Sequence, residues 1–133
     1  MRTAIVVLVS IWLVGGGVAA ACDCGGSLED GIARADVVFW GEIVATAPIA
    51  DHGTKFTVEV RGVWKGSAKK RMVVVTDGSN CGLGGLKTNI WFLFVATERG
   101  TTLASDSCDG SQKATKEVRD DVTKILGAPR APR

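Results

Sequence analysis

Four cysteines constrain this chain more than any other feature, because all four follow an apolar leader and two of them stand one residue apart where it ends. Met1 and Arg2 open with positive charge, Ala4–Val14 is an uncharged apolar run, and Gly15–Ala21 consists of small residues. That order is the layout of a secretory signal peptide. Ala19 and Ala21 suit cleavage before Cys22, while Val18 and Ala20 suit cleavage one residue earlier. The run is shorter than the roughly 20 residues that span a bilayer, so residues 1–21 are expected as a cleaved leader rather than an anchor. Lipid attachment at Cys22 is a minor reading, since Ala19 stands where such signals usually carry leucine.

Export places Cys22, Cys24, Cys81 and Cys108 in an oxidising compartment, extracellular or periplasmic, where an even count reads as two disulfides. One intervening residue cannot accommodate a bridge between Cys22 and Cys24. Two pairings remain open: 22–81 with 24–108, or 22–108 with 24–81. A four-thiolate zinc site would want paired C-x-x-C motifs, and this spacing has none. Formal charge is only +2 before Arg2 leaves with the leader, so no global field draws the protein to nucleic acid. Residues 22–126 are expected as a single monomeric domain, and residues 127–133, polar and proline-containing, as a disordered tail.

Strands dominate the remainder. Ser27 is placed to cap a short helix over 28–34, with Leu28 and Ile32 on one face. Residues 36–46 read as a long strand bent at Gly41. Residues 54–64 alternate, with Phe56, Val58 and Val60 on one face and Thr57, Glu59 and Arg61 on the other, as in a half-solvated antiparallel strand. Residues 71–76 return after a turn, and 77–85 form a glycine-rich loop around Cys81. Residues 88–97 are apolar on both faces and therefore central, and a short strand near 101–105 leads to Cys108. A terminal helix is expected from Ser111 through Leu126, with an apolar stripe of Ala114, Val118, Val122 and Ile125 and Gly127 at its end. The result is an all-β domain with flanking helices. Five strands favour a small closed barrel, because an open sheet would leave apolar surface bare, while composition alone allows a sandwich.

Little here suggests catalysis. His52 is the single histidine and has no nucleophile to pair with, so it reads as a solvated loop residue. Lys65, Lys69, Lys70 and Arg71 read as a solvated hairpin end before they read as a site for anionic glycans or lipid headgroups. Gly82–Thr88 fails the spacing of a phosphate loop at Leu86. Trp40, Trp64 and Trp91 read as barrel packing. No enzyme activity, cofactor, intrinsic metal or nucleic-acid partner is expected.

Taken in chain order, Cys22-Asp23-Cys24, Ala35–Val38 (ADVV), Val60–Gly66 (VRGVWKG), Cys81-Gly82 and Cys108 resemble the netrin-like domain family. Within it they are most similar to the amino-terminal domain of the tissue inhibitors of metalloproteinases. The resemblance implies a five-stranded OB-fold barrel, the bridges Cys22–Cys81 and Cys24–Cys108, and a secreted inhibitor of a zinc metalloproteinase. It further implies that the α-amine and carbonyl of Cys22 chelate the protease zinc, with Asp23, Cys24, Gly25, Ser79, Asn80 and Cys81 as the surrounding ridge. Asp23 departs from the small or hydroxyl residue usual at its position. The alternative is therefore a netrin-like module that binds another extracellular protein without inhibiting a protease.

Overall fold

The computed structural model describes residues 24–79 and 81–133; the expected signal peptide, Cys22, Asp23 and Asn80 lie outside the described residues. Strands β1 (Val37–Pro48) and β2 (Thr54–Lys65) form a long antiparallel hairpin whose register slips after Val38, Trp40 and Ile43. Gly41 sits at the second slip, where a Cβ would collide with the Glu59 carbonyl. β2 pairs with β3 (Arg71–Thr76), β3 runs parallel to β5 (Thr102–Ala104), and β5 pairs with β4 (Ile90–Arg99). Residues 37–43 of β1 then pair with β4 and close the ring. The order β1-β2-β3-β5-β4-β1 is that of the OB-fold, a closed five-stranded barrel. A short β6 (Gln112–Lys113) pairs antiparallel with β4 at Phe92 and Leu93.

Closure explains the burial pattern of each strand. The inward residues Phe39, Ile43, Phe56, Val58, Val74, Phe92 and Phe94 fill the barrel, with Phe39 and Phe94 stacked at 5.4 Å. β4 is apolar on both faces because a second core lies outside the ring. There Val38, Leu93 and Val95 meet Ile32, Ala114, Val122 and Trp64 beneath the two helices, α1 (Leu28–Arg34) and α2 (Lys116–Leu126).

Ser27 caps α1 as the sequence suggests, and it does so reciprocally: its hydroxyl accepts from the Asp30 N–H while the Asp30 carboxylate accepts from the Ser27 N–H. The Ser27 N–H, and next the Ser27 hydroxyl, which donates to the same carboxylate at 3.2 Å, hold the Asp30 carboxyl below the usual range. Lys65 reaches the other end of α1 and donates to the Ile32 and Ala33 carbonyls at 2.9 and 3.2 Å. This one lysine of the basic cluster therefore satisfies a helix C-terminus. Arg71 pairs with Glu59 at 3.1 Å.

Four expectations need correcting. α2 starts at Lys116 with Thr115 as its cap, because Ser111 is buried and its hydroxyl accepts from the Val95 N–H. Ala114 lies before the helix, and Leu126 packs inward where Ile125 was expected, leaving Ile125 exposed. Residues 127–133 are not a free tail: Arg130 forms a β-bridge with Val63, and Arg133 bonds to Ala68 and Lys70. The tryptophans divide. Trp64 is buried, whereas Trp91 is 42% exposed, lying between Trp40 and Arg61 on the outer surface.

Candidate functional site

The loops that carry cysteines converge at one end of the barrel. Cys24, directly ahead of α1, is bridged to Cys108 with their Cα atoms 4.9 Å apart, in agreement with the pairing the family resemblance implies. Cys81 is disulfide-bonded as well, and no free cysteine remains among the described residues. The expected Cys22–Cys81 bridge depends on Cys22, outside the described residues.

Two sets of hydrogen bonds hold the Cys81 loop. At its start the Asp77 carboxylate accepts from both the hydroxyl and the N–H of Ser79. The hydroxyl first, then the N–H, keep the Asp77 carboxyl below the usual range. Further on, the buried Thr76 hydroxyl accepts from the Leu83 N–H at 2.8 Å, and Leu83 inserts into the barrel core. The Asx turn at Asp77–Ser79 and the Leu83 plug thus fasten the described parts of this loop.

A clamp from the Cys108 loop holds Cys81 itself. The N–H and hydroxyl of Ser107 both donate to the Cys81 carbonyl, at 2.8 and 2.9 Å. The Cys108 loop folds around Asp106, whose carboxylate accepts from the N–H groups of Cys108 and Asp109. Gly31 of α1 approaches this loop so closely that a Cβ would collide with the Asp109 carbonyl. Helix, bridge and clamp thus tie Cys24, Cys81 and Cys108 to one small region.

Beside that region lies a cleft of about 330 Å³ whose lining includes Asp51, Asp77, Asp106, Asp109, Arg99 and Ile49. Burial, and next the neighbouring Asp106, push the Asp109 carboxyl above the usual range. His52 is exposed in the β1–β2 connection, where it and Asp51 hold left-handed backbone at φ 60° and 57°. That connection packs against Gly78, at the base of the Cys81 loop. Among the described residues no group of His, Cys, Asp or Glu is arranged to hold a metal ion.

Of the expected ridge, the structure brings together Cys24, Gly25, Ser79 and Cys81; Asp23 and Asn80 are outside the described residues. Gly25 is exposed and nothing would meet a Cβ there within 4 Å. Ser107, Asp106 and Asp109 are not singled out by the sequence reading, although Asp106-Ser107-Cys108-Asp109-Gly110 is rich in turn-forming residues. The arrangement presents a partly acidic edge held by the Cys24–Cys108 bridge and the Ser107 clamp. Neither a family model nor a curated protein matches the chain.

Proposed function

We propose that the protein is a secreted inhibitor of a zinc metalloproteinase that works through its mature amino terminus. Cleavage before Cys22 frees an α-amine whose pKa, about 7.7–8.0 for such groups, makes the neutral metal-binding form accessible near neutral pH. A catalytic zinc carries a displaceable water and can expand to five ligands, so the Cys22 amine and carbonyl bind as a bidentate pair with that water leaving. The observation that carries this reading is the anchoring of Cys24 and Cys81 by the Cys24–Cys108 bridge and the Ser107 clamp. Two residues of chain reach at most about 7 Å, so on this reading a terminus at Cys22 lies within that distance of the anchored Cys24. Its ordering cost on binding is correspondingly small.

Asp23 and the ridge residues Cys24, Gly25, Ser79, Asn80 and Cys81 then contact the protease cleft. A carboxylate at position 23 is costly in an apolar pocket, so the protein favours a metalloproteinase whose pocket is polar or cationic. Asp23 also favours a second reading, in which the same edge docks on a different extracellular protein and inhibits nothing.

One added alanine before Cys22 separates the two. It occupies the chelating nitrogen without touching the core, so inhibition of a responsive zinc endopeptidase is lost while the melting temperature stays unchanged. Asp23→Thr is expected to strengthen inhibition of an enzyme with an apolar pocket at least tenfold. If neither the native protein nor Asp23→Thr inhibits any member of a broad zinc-endopeptidase panel, the inhibitor reading fails and the docking module replaces it.

A further inference from the structure

Beyond its ladder with β3, strand β2 leaves a stretch of edge without a partner strand. The β2–β3 ladder ends at Glu59 opposite Arg71, and beyond the Val60 N–H bond to the Lys70 carbonyl the outer edge of β2 has no strand beside it. Residues 128–133, Ala-Pro-Arg-Ala-Pro-Arg, fill that gap. The Val63 N–H donates to the Arg130 carbonyl at 2.9 Å and the Arg130 N–H donates back to the Val63 carbonyl at 2.8 Å. This two-way exchange is the hydrogen-bonded pair of an antiparallel ladder. Arg133 adds two bonds to the β2–β3 turn, donating its N–H to the Ala68 carbonyl and accepting from the Lys70 N–H.

Side chains are recognised as well as backbone. The Arg130 guanidinium donates to the Gly66 carbonyl at 2.8 Å. Pro129 lies over Gly62, where a Cβ would stand 3.1 Å from the proline and closer still to the Trp40 indole nitrogen. Pro132 forms one wall of a cleft with Val60, Arg61 and Lys70. Beside the bridge, Pro129 has no N–H to offer outward, so the added segment ends the sheet instead of extending it.

We propose that the edge of β2 from Gly62 to Gly66 is a strand-addition site for an extended peptide, with arginine at the paired position and proline just before it. The chain's own residues 129–133 are its resident occupant and act as a removable guard. Removal is easy for a physical reason. Residues 127–131 are exposed, Gly127 provides a joint at φ 85°, and a segment held by few bonds with little buried apolar area opens far below the cost of global unfolding. The site lies at the opposite end of β3 from the cysteine loops, so the inference is independent of the zinc-directed reading.

Hydrogen exchange and peptide binding test it together. Ending the chain after Gly127 should speed exchange at the Val63 and Lys70 amides about tenfold or more while leaving core amides protected. The synthetic peptide Gly127–Arg133 should bind the shortened protein saturably and restore that protection, and should bind the full chain at least tenfold more weakly. The same peptide with Arg130→Ala should lose most of its affinity. Arg130→Pro in the full chain provides a second route: it deletes the bridge N–H and should open the edge without shortening the protein. Unchanged Val63 protection in both variants, or failure of the peptide to bind an opened edge, would overturn the proposal.

Discussion

Asp109 faces two opposing demands. Burial and the adjacent Asp106 raise its proton affinity, while the Asp106 N–H bonds to its carboxylate. A raised folded-state value means that the native chain takes up a proton at a higher pH than the unfolded chain does. Stability from this group therefore rises as pH falls from the raised value to the ordinary aspartate range, and is lowest above it. Asp30, Asp77 and Asp120 are shifted the other way, but they are exposed and screened by solvent. Asp109→Asn keeps an oxygen to accept the Asp106 N–H and removes the charge. The variant should equal or exceed the native protein in urea resistance at neutral pH, and the difference should narrow on acidification. Parallel urea midpoints across that range would contradict the assignment.

Helix α2 illustrates which elements can be read from a sequence. Its end was legible, because Gly127 takes a left-handed backbone that ordinary residues avoid. Its start was not. Ser111 and Thr115 are both acceptable caps locally, and the choice was made by Val95, a buried strand residue far away in sequence whose N–H needed the Ser111 hydroxyl. β2 was readable because one of its faces meets water and the other the core; β4 because it meets a core on each side. The tail was misread for the same reason as Ser111: its hydrogen bonds go to a distant strand edge, which composition does not encode. At the site, the Cys24–Cys108 pairing followed from the family resemblance, whereas the Ser107 clamp needed two loops that only the barrel brings together. α2 itself is fastened by the Trp64 indole N–H, which donates to the Thr123 hydroxyl at 3.1 Å. Thr123→Val preserves shape but strands that buried donor, so it should cost about 1–3 kcal/mol in urea unfolding. Little change would mean that the indole finds water instead.

Across the molecule, the Cys24–Cys108 bridge joins positions separated by 84 residues. In the chain-entropy account a loop of that length contributes roughly 4–5 kcal/mol as an upper bound, against a total of about 5–15 kcal/mol for an ordinary domain. Replacing both cysteines by serine should therefore lower the urea midpoint severely while leaving the barrel's strand signature in circular dichroism at low temperature. An unchanged midpoint would show that the bridge only positions the amino-terminal edge. Closure of the ring by β1 against β4 has another consequence, one of timing. β1 is synthesised well before Ile90–Arg99 exists, and synthesis at roughly 5–20 residues per second keeps Val37, Phe39 and Ile43 waiting for seconds. During that interval the nascent hairpin shows an unpaired apolar flank, and the newborn chain depends on whatever in the cell shields it until β4 arrives.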